Sequence, residues 1–501
     1  MILRVICRWA ILILALLSLT VQSLERPNIL FVAIDDLRPA LGCYGDPVAH
    51  TPNIDKLAKS GVLFENAYCQ EALCSPSRWS VMTGMRPDTI QVWDLSTHPR
   101  KHRPDLTTLP EFFRLNGYTT GSIGKILHGS GAPSKDPESW SVPPVYDEVR
   151  EPELRYALPI NLVGQSLKRS AVECAPVQDN YYVDGKVCEA AIKRIDELSR
   201  LETPFFLGVG FRKPHLPFCA PERYWDLYEA HAIPSIEFGE RPKRAPEMAY
   251  RSWMELEGYW EMPKNGRLTN EQRATLRHGY YACVSYIDAL LGKLLLALEE
   301  RQLRQSTIIC LWSDHGFHLG EQGIWAKGNN YELSTQVPLI IADPQSTTRG
   351  KRVRGLVELI DLHPTLLELC GYQPDVNLEG RSLAGLIRGE ENQGHLESLA
   401  AYSQWPRALQ KNRHKGKGDV MGYSVRTKGY RMVEWWRHVD NTLIASELYE
   451  LGEGAIEKDN LIHVPELSPV RQRLGSLIAN YRGTAGVRNG ARLSSDQESA
   501  H

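Results

Sequence analysis

The sequence predicts an α/β protein: a mostly parallel β-sheet covered by helices, followed by a smaller C-terminal α+β domain built on an antiparallel sheet. Three observations point there. Asn28-Ile29-Leu30-Phe31-Val32-Ala33-Ile34 and Thr307 to Trp312 are continuous apolar runs, the pattern of strands buried on both faces. Strand-like runs alternate with segments of helical spacing as far as Gly371, as they do in a layered α/β sheet. Beyond Gly371 the character changes to a succession of short strand-like segments.

In chain order, the first strand ends at Asp35-Asp36. Thr51-Pro52-Asn53-Ile54-Asp55 opens a helix, with Thr51 capping and Pro52 at the first helical position, and Gly61 closes it. Cys74-Ser75-Pro76-Ser77-Arg78 starts the next helix, because Pro76 is tolerated only in a first turn. Thr108-Leu109-Pro110-Glu111 is a capping box, and that helix ends at Gly117. Tyr118 to Ile123 reads as a short strand that delivers Lys125 and His128 beyond its end.

Residues 130–175 carry Pro, Ser and charge without periodicity and read as a long surface insertion at a substrate rim. Tyr181 to Leu201 has helical spacing, and Pro204 to Phe211 is a strand ending in Arg212-Lys213-Pro214-His215. The stretch 220–265 lacks a period. Asn270 to Arg301 is the longest amphipathic helix, with Leu290, Leu291, Leu294, Leu295 and Leu298 on one side. The Thr307 strand runs into Ser313-Asp314-His315-Gly316. Val337 to Ile341 is a further strand, and Val357 to Cys370 a strand-to-helix unit. Antiparallel strands are expected at Ala400 to Gln404, Met421 to Thr427, Tyr430 to Trp436 and Glu447 to Leu451. Ser468-Pro469 caps a last helix to Tyr481. The expected organisation is a signal peptide over 1–23, a catalytic domain over 24–371, a C-terminal subdomain over 372–482 and a disordered tail over 483–501.

With 42% hydrophobic and 24% charged residues the chain has the composition of a globular protein. A formal net charge of -2 gives no general attraction to nucleic acid, so anion binding must come from local cations. Arg4 and Arg8 precede the apolar run Trp9 to Val21, too short for a bilayer span, which reads as a secretory signal. No further apolar segment of membrane length follows, so no membrane association is expected after cleavage. Asn-x-Ser/Thr sequons are absent, which favours an exported bacterial protein, periplasmic or secreted. Of the cysteines, Cys174 and Cys188 are the pair best spaced for a disulfide.

The chemistry gathers at strand ends. Asp35 and Asp36 leave one strand, Asp314 and His315 another, and ligands of open α/β sheets bind at that edge. Carboxylates from two strands suit a hard divalent cation, which for calcium takes roughly six to eight oxygens. The His315 imidazole suits zinc or manganese better, but oxygen ligands dominate the set, so calcium is favoured with magnesium or manganese as the alternative. Cys74 sits at a helix N-terminus, where free backbone N–H groups favour negative charge, and Arg78 follows one turn later. That start suits an oxyanion.

Cys-x-Pro-Ser-Arg resembles the sulfatase signature, and Ile34-Asp35-Asp36-Leu37-Arg38-Pro39, Thr51 to Asp55, Met85-Arg86-Pro87-Asp88-Thr89 and Ser313 to Lys327 extend the resemblance over nearly the whole mature chain. Leu41 to Asp46, Lys213 to Phe218, Tyr402-Ser403-Gln404 and Met421 to Thr427 are similar to the members of that family acting on uronate 2-sulfates. The resemblance implies the alkaline-phosphatase-like sulfatase fold. It implies that a maturation enzyme (a formylglycine-generating or sulfatase-maturing enzyme) oxidises Cys74 to formylglycine, and that Asp35, Asp36, Asp314, His315 and the modified Cys74 hold the metal. Arg78, Lys125 and Lys327 would then bind sulfate, His215 with Lys327 would protonate the departing sugar oxygen, and His128 would take a proton from the nucleophile. A uronate needs one more cation, for which Arg426 is the candidate. The implied substrate is a sulfated oligosaccharide or polysaccharide. The competing readings are a phosphodiester or phosphonate hydrolase of the same superfamily, and an inactive glycan-binding relative if Cys74 stays a thiol.

Overall fold

The computed structural model describes residues 26–128, 136–149, 151–163, 168–229, 233–250, 255–264, 267–390, 400–408, 418–452 and 454–495. The expected signal peptide lies outside them. The main sheet is built from β1 (Asn28–Ile34), β2 (Val62–Tyr68), β3 (Thr119–Gly124), β5 (Phe205–Phe211), β7 (Thr307–Ser313), β8 (Gln336–Ala342) and β9 (Arg352–Glu358), with β4 (Val172–Ala175) and β6 (Phe218–Pro221) forming a separate parallel pair. Its order is β3-β5-β1-β7-β8-β2-β9. Only β8 runs against its neighbours, pairing antiparallel with β7 and β2. The sheet is therefore mostly parallel, as expected.

Alternation within β1 explains why an unbroken apolar run is needed. Leu30, Val32 and Ile34 enter one core, while Ile29, Phe31 and Ala33 enter the other. The first core is covered by α1 (Pro52–Ser60) and by two of the longer helices that follow. The second is covered by α2 (Cys74–Thr83) and α3 (Leu109–Leu115). Helices α4 (Val183–Leu198) and α5 (Asn270–Glu300) complete the first layer, and α6 (Leu362–Leu369) the second. Helix α5 is long and apolar enough to cross a membrane, but most of its apolar window is buried in the core. Antiparallel strands β10 (Ala401–Arg407), β11 (Val420–Arg426), β12 (Tyr430–Arg437) and β13 (Thr442–Glu450) form the second sheet in that order. Leu474, Ile478 and Tyr481 of α7 (Ser468–Ser495) pack against Met421, Val425 and Leu448 of that sheet.

Several expectations are corrected. Helix α7 continues to Ser495, so 483–495 is helical rather than disordered; it holds no Pro, and i→i−4 bonding carries on from the packed turns. Residues 496–501 lie outside the described set. Cys174 and Cys188 are both free: Cys174 is exposed on β4, whereas the Cys188 thiol faces inward, 3.5 Å from the Leu290 carbonyl of α5. Chain spacing alone does not tell which way two side chains point. Thr51 precedes α1 but does not cap it. Its hydroxyl donates to Asp55 and accepts from the Gly42 N–H. The 130–175 region is not merely surface: Trp140, Tyr156 and Ala171 are buried, and Tyr156 is fully enclosed. Strand β2 had no clear sequence signal, because Glu65 and Asn66 interrupt it at a bulge between Phe64 and Ala67.

Candidate active site

Four neighbouring parallel strands end at one edge in register. Gly124 lies opposite Gly210, and Ile34 lies between Phe211 and Ser313. Lys125, Arg212, Asp35 and Asp314 therefore leave the sheet side by side, where ligands of such sheets bind. Gly124 has φ +78°, and a Cβ there would lie 2.1 Å from the Gly210 carbonyl oxygen. Only glycine permits this close approach.

Helix α2 points its N-terminus at this edge, with Leu73 extended at the cap and Pro76 in the first turn. Cys74 is 2% exposed, its Sγ 3.3 Å from His315 Nε2 and 3.5 Å from Lys125 Nζ. Burial, reinforced by Asp35, pushes the thiol well above its ordinary value despite Lys125. Desolvation thus outweighs the helix N-terminus, and an unmodified Cys74 stays protonated.

The charged groups interlock. Arg78 Nε donates to Asp314 Oδ2 at 2.9 Å, Nη2 to Asp35 Oδ1 at 3.1 Å, and Nη1 to the carbonyls of Lys125 and Ile126. Arg78 is fully buried, so its fork clamps the two carboxylates from beneath instead of opening to the cavity. Lys125 Nζ pairs with Asp35, and Lys327 Nζ reaches Asp36 at 2.8 Å. Asp36 has φ +60°, an unusual backbone state for a non-glycine residue, which turns it back toward Lys327. Burial alone would raise the Asp35 carboxyl, yet Lys125, His215 and Arg78 together hold it well below the carboxylate range.

The donor set fits a divalent cation. Ligand atoms of Asp35, Cys74, Asp314 and His315 all lie within 4.8 Å of one another, as do those of Asp35, Asp36, Cys74 and His215. His315 Nδ1 faces the Gly316 carbonyl at 3.0 Å and so must donate to it. That directs Nε2 toward Asp36 Oδ1 at 3.5 Å and Asp314 Oδ2 at 3.6 Å. Two carboxylates and an imidazole nitrogen converging at such distances suit a divalent cation as donors.

His128 and His215 line a cavity beside this cluster. Burial, reinforced by Lys125, holds the His128 imidazole well below its ordinary value, so it is neutral. His215 Nδ1 donates to the Leu216 carbonyl at 2.7 Å, directing Nε2 toward Glu255 Oε1 at 3.4 Å and Asp36 Oδ2 at 4.0 Å. Arg426 is not brought to the cluster. It is 5% exposed, bound by Glu332 at 3.1 Å, and lines a separate cavity. Its charge is already spent inside the protein.

The family model described as Sulfatase matches residues 27–372, more than half of the chain. The chain belongs to the sulfatase family. A second model, N-sulphoglucosamine sulphohydrolase, C-terminal, matches residues 320–483 of this sulfatase. It is 35% identical to human (Homo sapiens) iduronate 2-sulfatase over 472 residues, covering 83% of this chain and 86% of the relative. The mouse (Mus musculus) iduronate 2-sulfatase is 34% identical, with 83% and 85% covered. Among solved structures, the phosphonate monoester hydrolase of Agrobacterium radiobacter superposes with a TM-score of 0.75 at 22% identity, covering 92% of this chain and 96% of that one, a likeness of fold. The sulfatase is thus a sulfuric ester hydrolase of alkaline-phosphatase-like fold.

Sequence reading missed Glu255. It lies in the stretch without period and binds Lys327 Nζ at 3.1 Å as well as His215. Burial would raise its carboxyl, but Lys327 and His215 hold it below the ordinary range. No spacing signal ties it to residues 72 positions away.

Proposed function

We propose that this sulfatase removes the 2-O-sulfate of a terminal uronate in a sulfated glycan, using a formylglycine made from Cys74 by a maturation enzyme, with calcium (alternatively magnesium or manganese) as its metal. The observation that carries the reading is the convergence of Asp35, Asp36, Asp314 and His315 around Cys74 at the N-terminus of α2. The iduronate 2-sulfatases among its relatives support the choice of sugar.

A cation held by Asp35, Asp36, Asp314 and His315 would supply Lewis acidity toward a sulfuryl oxygen, and formylglycine would supply an aldehyde hydrate as nucleophile. The chain's own residues do the rest. Lys125 Nζ, 3.5 Å from Cys74 Sγ, holds negative charge next to that atom. Arg78 pairs with Asp35 and Asp314 and orients both carboxylates. Lys327 Nζ and His215, tied together through Glu255, would give a departing sugar oxygen its proton. His128, neutral and lining the cavity, accepts a proton at a ring nitrogen. The basic and apolar N-terminal segment supports export of the mature enzyme.

The test is turnover of a panel of defined sulfated disaccharides, with uronate 2-sulfates beside hexosamine sulfates and matched phosphate esters. Preferred release of sulfate from the uronate 2-sulfate is expected. Faster turnover of a hexosamine sulfate or a phosphate ester sinks the assignment.

A further inference from the structure

The cavity beside Cys74 has a volume of about 320 Å3, at the small end for ligand sites and suited to one sugar rather than a length of chain. Asp35, Lys125, His128 and His215 line it, and so do two guanidinium groups, Arg155 and Arg212. The other cations of the site are already engaged: Arg78, Lys125 and Lys327 pair with Asp35, Asp36 and Asp314, and Lys213 Nζ donates to the Pro217 carbonyl at 2.6 Å. Arg155 and Arg212 are not.

Arg155 is half-buried, and its guanidinium makes no hydrogen bond or ion pair among the described residues. Arg212 is half-buried as well. Its Nη2 donates to the Asp147 backbone carbonyl at 2.7 Å, and its Nη1 is shielded from water with no acceptor. Burial lowers the Arg212 guanidinium to about 10; Asp184 and Asp35 oppose that fall, and the nearby Arg155 adds to it. The Asp184 carboxylate accepts the Arg212 backbone N–H, not its guanidinium. Asp147 and Glu148 also line the cavity and are engaged with other groups. Two like charges share one small cavity with no carboxylate bound to either, an arrangement that costs stability unless an anion completes it.

We propose that Arg155 and Arg212 form a carboxylate subsite that grips the uronate while its sulfate lies against Cys74. A planar carboxylate matches the guanidinium fork, which makes arginine the fitting residue here. This deepens the uronate 2-sulfate reading and rests on it. It also replaces Arg426, whose guanidinium is held by Glu332.

The experiment measures binding to the calcium-loaded full-length Cys74→Ala enzyme, which cannot turn the ligands over. The two ligands are the methyl glycoside of a uronate 2-sulfate and its carboxyl methyl ester, which keeps the sulfate and loses only the carboxylate charge. The acid is expected to bind at least tenfold more tightly than the ester, and Arg155→Ala is expected to bring the two within threefold. Arg212→Gln should do the same, and Arg155→Lys should keep part of the preference. Equal affinities for acid and ester, including no binding of either, overturn the proposal, as does a preference that both Arg155→Ala and Arg212→Gln leave intact. Arg155 has no partner to lose, so its variant serves if the Arg212 variant fails to fold. A preference for the acid in an enzyme that, with Cys74 intact, releases no sulfate from it counts against the assigned reaction and leaves the subsite standing.

Discussion

Cys74 Sγ and His315 Nε2 lie 3.3 Å apart although 241 residues separate them in the chain. The contact joins the start of α2 to the end of β7 and makes Cys74 part of the same donor cluster as the strand-end carboxylates.

Replacing Cys74 by Ala removes the atom from which the nucleophile is made, and turnover should fall by more than about 1,000-fold. Sulfate release from a uronate 2-sulfate measures this. Mass analysis of the Cys74 peptide from the native host should find it lighter than the thiol form.

Arg78 joins two buried acids. Arg78→Met strands Asp35 and Asp314, and stability should drop by about 3–5 kcal/mol, the cost of leaving buried charges unpaired. Urea denaturation reads the loss. An unchanged midpoint would show that the clamp is not structural.

Removing divalent cations should lower the melting temperature and abolish activity together. Calcium restored to 100 times its Kd should return about 2.7 kcal/mol of stability. In Asp36→Asn that calcium-dependent gain should shrink, which scanning calorimetry with and without chelator will show.

Buried imidazoles set an acid limit on stability. His318 and His363 are both lowered by burial to about 4. In the unfolded chain they take up protons near the ordinary value of about 6.5, so between these values the unfolded state binds more protons. Stability is therefore full above pH ~6.5 and falls as pH drops toward ~4, by about 3 kcal/mol for each imidazole. His363→Gln should flatten the slope of denaturation midpoint against pH in that window.

Glu255 orients both Lys327 and His215. Glu255→Gln should lower kcat by about 100-fold, the smaller end of the range for general acid–base assistance, and should shift the pH profile of kcat. A change in KM alone would show that Glu255 only shapes the cavity.

The contrast between Lys125 and Arg426 shows how far the residues alone reach. Lys125 follows a strand whose apolar pattern is visible, so its place at the sheet edge is legible, and the structure puts it 3.5 Å from Cys74 Sγ. Arg426 also follows a visible strand, but in the second sheet, and nothing local tells that Glu332 waits for it. The place of Arg78 one turn after Cys74 is legible too, but only the structure shows that its guanidinium bridges Asp35 and Asp314.

The sequence by itself determined most main-sheet strands and the longer helices, though not β2, β4 or β6, and which residues stand at the ends of those strands. Apolar periodicity, caps and acid pairs act over a few residues and are written locally. The tertiary structure alone decided which strand ends are neighbours, that Glu255 reaches Lys327, that Cys174 and Cys188 stay apart, and that the Arg155 and Arg212 guanidinium groups bind no acid among the described residues. Electrostatic pairing depends on distance through space, and the chain order does not encode that distance until the sheet has formed.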